Sequence, residues 1–144
     1  MPTTRRDRVV PAPPGAVWAV VSNPHHQPRW WPRVTRVEGV EGGRFTQVLQ
    51  TKQGRTVRAD FRVVDREEGR SLRWEQQLAG TPFASVFRSS STLVEVEPAG
   101  EGTRVRITAE QQLAGMSRVG GGSMVRRGTR KILDEALERL AGIV

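Results

Sequence analysis

The chain has 144 residues, of which 36% are hydrophobic and 26% charged, a composition typical of one globular domain. It contains no cysteine, which excludes disulfides, thiolate nucleophiles and thiolate metal ligands. The formal net charge of +8 comes from scattered arginines with no run of five basic residues, so we expect no nucleic-acid partner.

The first predicted elements are a strand and two short helices. Residues 3–11 predict a strand that ends in a proline-rich segment. Pro14 then opens a helix over 16–21, since proline suits the first turn of a helix. The Ser-Asn-Pro sequence that ends at Pro24 breaks this helix and predicts a second short one over 24–31.

The N-terminal residues lack the apolar centre of a signal peptide. No apolar run reaches the length that spans a bilayer. We therefore expect a cytoplasmic protein without integral membrane association.

Residues 34–113 predict about six antiparallel strands joined by short turns. Apolar and polar residues alternate within the segments between the turns. In TVRADFRVV, for example, every second residue from Val57 to Val63 is apolar, with Arg58 and Arg62 between them. One buried face and one wet face are typical of an antiparallel sheet.

A glycine-rich loop, AGMSRVGGGS at 114–123, precedes the last element, and we expect it to be flexible and able to gate the interior. Residues 124–141 predict a long amphipathic helix, capped by Ser123, that lies on the sheet. Four basic residues crowd the first half of this helix: Arg126, Arg127, Arg130 and Lys131. They oppose the helix dipole, and either a solvated charged face or an anionic partner would explain them.

Three segments carry a resemblance to a known family: VPAPPGAVWAVVSNPHHQPRWWPRV, EPAGEGTRVRITAE and the amphipathic terminal helix. Over essentially the whole chain they resemble the polyketide cyclase/dehydrase and lipid-transport family of the START and birch-pollen-allergen-like (SRPBCC) superfamily. The resemblance implies a single α+β domain over 1–144 with a helix-grip fold. In that fold a curved antiparallel sheet of about seven strands wraps around one long C-terminal helix, with two short helices after strand 1. It also implies a mostly apolar pocket between sheet and helix.

The stretch HHQPRWWPRV, residues 25–34, would lie near the mouth of that pocket. Adjacent residues of a helix point about 100° apart, so His25 and His26 are poorly placed to share a metal ion. The chain has no third histidine, and we expect no metal site. Trp30 and Trp31 either close the core or form a wall of the pocket, and these interpretations are compatible.

Alternation also places polar side chains on the inward face of the predicted sheet. They are Gln76, Arg88, Ser90, Thr92 and Gln111. An inward arginine would need an anion, such as a ligand carboxylate, enolate or phenolate. Alternatively, Arg88 faces outward or pairs with an acid such as Glu75, and a β-bulge would reverse its assignment.

We predict that the protein binds a small hydrophobic or aromatic molecule, with or without a negative charge, such as a lipid or a polyketide-like compound. The predicted walls are Trp30, Trp31, Phe61, Trp74, Phe83, Phe87, Ile107, Val125 and Ile132. The predicted orienting residues are Gln76, Arg88, Ser90, Thr92, Gln111 and Thr129.

Two alternatives remain open at the level of sequence. One is a polyketide cyclase or dehydratase acting in the same cavity, for which no catalytic residue can be named, because the acidic residues of the strands fall on the wet face. The other is a protein-interaction or stress-response module with a filled interior. No cofactor is expected, and the protein would be a monomer or a homodimer.

Overall fold

The computed structural model describes residues 3–115 and 121–144. Its strands are β1 (Thr3–Val10), β2 (Val34–Glu41), β3 (Arg44–Gln50), β4 (Thr56–Glu67), β5 (Ser71–Gln76), β6 (Phe87–Ala99) and β7 (Gly102–Leu113). They form one seven-stranded antiparallel sheet in the order β1-β7-β6-β5-β4-β3-β2. The meander predicted from the alternation is therefore confirmed, with β1 added beside β7.

The helices are α1 (Pro14–Val21), α2 (Gln27–Trp30) and α3 (Gly122–Ile143), with short 3-10 turns at Pro24–His26 and Pro82–Ser85. The two short helices after strand 1 and the long C-terminal helix agree with the helix-grip fold. The predicted cap of the long helix is wrong. Gly121 is the N-cap and makes no side-chain bond, and Ser123 lies inside the first turn. The central residues of the glycine-rich loop, 116–120, lie outside the described part of the chain, so its flexibility and gating remain predictions.

The two ends of the inner face of the sheet differ. At one end α1 packs against β6 and β7. The apolar side chains there, including Val94, Val96 and Val105, are almost completely buried. At the other end, inward side chains of β4, β5 and β6, such as Phe61, Gln76 and Ser90, are only partly buried. The domain is therefore closed at the α1 end and more open at the opposite end.

A three-residue cluster fixes the closed end. The Trp18 indole N–H of α1 donates to Glu68 Oε1 at 2.9 Å, and Arg66 lies 2.9 Å from the same carboxylate and 5.6 Å from the Trp18 ring centre. The hydrogen bonds from Trp18 and Arg66 hold the pKa of Glu68 below its usual value. These contacts anchor α1 to the turn that joins β4 and β5.

Among the described helices, none combines the length and apolar character needed to cross a membrane.

Candidate ligand-binding site

The candidate site is the incompletely covered inner face of β4, β5 and β6, which we call the groove. Helix α3 packs mainly against β1, β7 and α2, whereas α2 packs on β2 and α3. The inner faces of β4, β5 and β6 lie between these two helices. Their partial burial follows from this arrangement, since neither helix covers them completely.

Five aromatic rings form one wall of this groove. Trp30 meets Trp31 edge to face at 5.3 Å, and Trp31 meets Trp74 at 5.9 Å. Phe45 lies 5.9 Å from Trp74 and stacks on Phe61 at 5.3 Å. Trp30, Trp74 and Phe45 are buried, while Trp31 and Phe61 are partly exposed. The buried rings therefore support the two rings that can meet a ligand.

A row of uncharged polar side chains crosses the groove beside this wall. Ser90 lies directly opposite Gln111, and Gln76 follows one step after the β5–β6 pair Glu75 and Ser91. The Thr129 hydroxyl of α3 donates to Gln111 Oε1 at 3.2 Å. Amide and hydroxyl groups on adjacent strands, about 4.8 Å apart, can bind carbonyl and hydroxyl oxygens of a ligand.

Thr92 lies one level deeper, opposite Trp74. Inward-facing Gln76, Gln111 and Thr92 were all expected from the alternation, and the strand register agrees with that expectation.

Arg88 does not join this row. The pairing jumps from Phe87 with Leu113 to Ser89 with Gln112, so Arg88 is the extra residue of a β-bulge. Its side chain is exposed and borders an open surface cavity of about 420 Å³, which is lined by Glu75 and Glu110 of the wet face and also by Gln76 and Ser90. The prediction that Arg88 points inward is wrong, and the inward residues of β5, β6 and β7 carry no charge.

The orientation of α3 determines where Val125 and Ile132, two residues of the predicted site, lie. Asp134 forms an ion pair with Arg6 of β1, with Arg6 Nε 2.7 Å from Asp134 Oδ1, so this flank of α3 faces the sheet edge. Val125 and Ile132 lie about 180° around the helix from Asp134, on the flank that faces α2 and the groove. Val125 is partly exposed and Ile132 is 37% exposed, which leaves both accessible at the rim.

The remaining predicted wall residues divide into two groups. Phe83 lies in the 3-10 turn after β5 and Phe87 begins β6 opposite Leu113, and both are partly exposed at the open end. Ile107 is 0% exposed in the core. The structure therefore brings Phe83 and Phe87 near the groove mouth, whereas Ile107 supports the sheet from within.

A buried amide pair, Gln27 and Gln47, was not predicted. The Gln47 side-chain amide donates to Gln27 Oε1 at 2.8 Å, and the two residues are 3% and 1% exposed. Gln27 begins α2, so the bond fixes the helix that carries Trp30 to the inner face of β3. The alternation in RFTQVLQ, which places Gln47 with Phe45, contained the signal for one member of the pair.

The histidines lie at the protein surface near α2. His25 is exposed, and Arg29 Nη1 lies 3.4 Å from His26 Nδ1. Across residues 3–115 and 121–144, no three His, Cys, Asp or Glu side chains converge as a metal site would require.

The model of the family described as "Polyketide cyclase / dehydrase and lipid transport" matches residues 1–144. The chain belongs to this family. No curated protein matches the sequence.

Three solved structures illustrate the similarity of fold. A START superfamily protein from Mycobacterium smegmatis shares 15% identity and a TM-score of 0.80, with 99% of this chain and 96% of that chain covered. XoxI from Bacillus cereus shares 17% identity and a TM-score of 0.78, with 99% and 94% covered. The di-domain ARO/CYC protein BexL from the BE-7585A biosynthetic pathway shares 23% identity and a TM-score of 0.81. The match covers 99% of this chain and 46% of that chain.

These likenesses establish the START/SRPBCC fold. The family is one of hydrophobic ligand-binding and polyketide-cyclase-like proteins, and membership alone names no ligand or reaction.

Proposed function

We propose that this family member binds a small, neutral, oxygen-bearing hydrophobic or aromatic molecule in the groove between α2 and α3. The observation that carries the proposal is the pairing of an aromatic wall with an uncharged polar row. Trp31 and Phe61 offer ring surface, and Gln76, Ser90 and Gln111 offer hydrogen bonds on three adjacent strands.

The absence of inward charge on β5, β6 and β7 determines the ligand class that we propose. Burying a neutral polar group without a hydrogen-bond partner costs on the order of 2–7 kcal/mol. Burying a carboxylate without a cationic partner costs more. With Arg88 on the outer face, these strands offer no such partner. Carbonyl and hydroxyl oxygens match the amides and hydroxyls that are present.

A second candidate function, catalysis on a ligand held in the same groove, is favoured by the similarity to the ARO/CYC protein. Such an enzyme could act by holding a reactive chain in one folded shape, which needs few ionisable groups. Binding is common to both candidates, and we treat it as the primary function.

Titration with the neutral dye Nile red, followed by fluorescence, tests the proposal. Trp31→Ala should weaken dye binding because it removes the exposed ring of the wall. Val64→Ala, at an exposed position on β4, serves as the control and should bind as the wild type does. Equal affinity of all three proteins, or no dye binding by the wild type, would overturn the proposal.

Dye affinity should also be unchanged between about 0.05 and 0.5 M salt, since a neutral ligand meets no inward charge on β5, β6 and β7.

A further inference from the structure

The first half of α3 carries positive charges, and no acidic side chain among the described residues forms an ion pair with them. Between Gly122 and Leu133 the helix has no acidic residue. Its four basic residues are all exposed and form no ion pair with any described residue: Arg126, Arg127, Arg130 and Lys131. The four charges also lie close together on one half of the helix and repel one another, and Arg126 is close enough to the helix start to oppose its dipole.

Acidic residues one turn further along the helix could have compensated these charges. Asp134 and Glu135 stand four residues after Arg130 and Lys131, at the spacing of intrahelical ion pairs. Asp134 instead pairs with Arg6 of β1 at 2.7 Å, and Glu135 pairs with Arg139 at 3.0 Å. The second half of the helix therefore uses its acids elsewhere and leaves the first half basic.

Exposed apolar residues lie beside these charges. Met124 is 74% exposed and Ile132 is 37% exposed, and both are large hydrophobic side chains. On a helix of about 100° per residue, Lys131, Met124, Gly128 and Ile132 follow one another around one flank. A strip of apolar side chains bordered by basic ones is the arrangement of helices that lie in a membrane interface.

We propose that the face of α3 defined by Arg127, Lys131, Met124 and Ile132, which lie within about 140° of one another around the helix, docks on an anionic lipid bilayer. The basic side chains contact the headgroups and Met124 and Ile132 enter the interfacial layer. Charge complementarity favours an anionic surface, and the exposed Met124 favours lipid over a purely aqueous polyanion. The docking does not depend on the ligand of the groove, although the face adjoins the groove rim at Ile132 and would place the opening next to the membrane.

Vesicle co-sedimentation of the full chain tests the docking. Phosphatidylcholine vesicles with and without about 30% phosphatidylserine provide anionic and neutral surfaces. The test variant changes the two basic residues of the face to glutamine: Arg127→Gln and Lys131→Gln. The matched control changes the two exposed basic residues on the other flank of the same half of the helix: Arg126→Gln and Arg130→Gln.

The wild type and the control should bind the anionic vesicles, and the test variant should lose roughly tenfold or more in partition coefficient. Both variants have the same net charge, so an equal loss in both would mean non-specific attraction and would overturn the proposal. Wild-type binding to soluble polyglutamate that matches its binding to the vesicles would overturn it in favour of an acidic protein partner.

Met124→Ser is a second, structurally mild variant that leaves every charge in place. It should weaken anionic-vesicle binding at about 0.5 M salt, where the charges are screened and the apolar contact dominates. Unchanged binding of this variant, or failure of the wild type to bind anionic vesicles at low salt, would overturn the proposal. Nile red binding in the groove is measured separately, so a failure of docking is distinguishable from a failure of the proposed function.

Discussion

Gln27 and Gln47 connect the helix that carries the two tryptophans to the sheet through one buried hydrogen bond. We expect Gln47→Leu to lower the free energy of unfolding by about 1–3 kcal/mol, because the amide of Gln27 would stay buried without its partner. Urea unfolding of the two single variants and of the double Gln27→Leu, Gln47→Leu variant measures the coupling. The double variant should recover part of the loss, and strictly additive losses would mean that the amides do not act as a pair.

We predict different effects on ligand binding for substitutions of Gln111 and of Arg88. Gln111→Leu should weaken the binding of an oxygen-bearing neutral ligand by roughly 2- to 12-fold, the range expected for one lost hydrogen bond. Arg88→Ala should leave it unchanged, because the bulge turns Arg88 to the outer face. Isothermal titration with one identified ligand checks both, and a larger loss for Arg88→Ala would contradict the assignment.

At the scale of single residues, alternation predicted the inward side chains where the strands are regular. Gln76, Thr92 and Gln111 follow the period of two. Arg88 does not, because one extra residue in β6 shifts the parity beyond it, and nothing in the sequence FRSSST marks which residue is extra. The partner of Gln47 was also not predictable, since the bond joins residues 20 positions apart on different elements.

Helix α1 depends on a contact whose strength varies with pH. The pKa of Glu68 is lowered by the hydrogen bond from Trp18 and by Arg66, so the folded state favours the ionised carboxyl. The stabilisation is therefore present above the unfolded pKa of about 4.3 and is lost as the pH falls through the lower folded pKa.

Glu68→Gln should destabilise the protein at neutral pH, and its difference from the wild type should shrink as the pH falls below about 4.3. Thermal unfolding across this pH range measures the effect, with Glu101→Gln in the exposed β6–β7 turn as the control. A difference that stays constant with pH would show that the carboxylate charge is not responsible.

Helix α3 begins without a side-chain cap and without an acid in its first turn. Ser123→Asp would place a negative charge near the helix start, four residues before Arg127, and should raise the free energy of unfolding by about 0.3–1 kcal/mol. Urea unfolding at low and high salt checks this. Stabilisation that does not decrease with salt would contradict the electrostatic cause.

At the scale of elements, the sequence predicted the three described α-helices and about six strands between residues 34 and 113, because proline, glycine and alternation mark them directly. The helix ends were less accurate. The last helix runs from Gly122 to Ile143, whereas the amphipathic stripe suggested 124–141. The helix extends about two residues beyond the apolar stripe at each end, because helical hydrogen bonds do not require apolar side chains. The spacing of apolar residues therefore does not mark the helix ends.

At the scale of the whole molecule, the helix-grip fold was predicted from the family resemblance, and the observed order of one strand, two short helices, six strands and a long helix agrees with it. The position of the groove was not predictable to the same degree. It depends on where α2 and α3 lie across the sheet, and the amide pair of Gln27 with Gln47 and the core contacts of buried α3 side chains such as Leu137 hold them there. These contacts join residues far apart in the sequence.

Native mass spectrometry of the freshly purified full chain, compared with its denatured mass, tests the central claim most directly. We predict an additional mass that disappears on denaturation and corresponds to a neutral, oxygen-bearing hydrophobic compound, with lower occupancy in Trp31→Ala than in Val64→Ala. A protein that shows no bound compound and also fails to bind Nile red would contradict the account and indicate a groove filled by its own side chains.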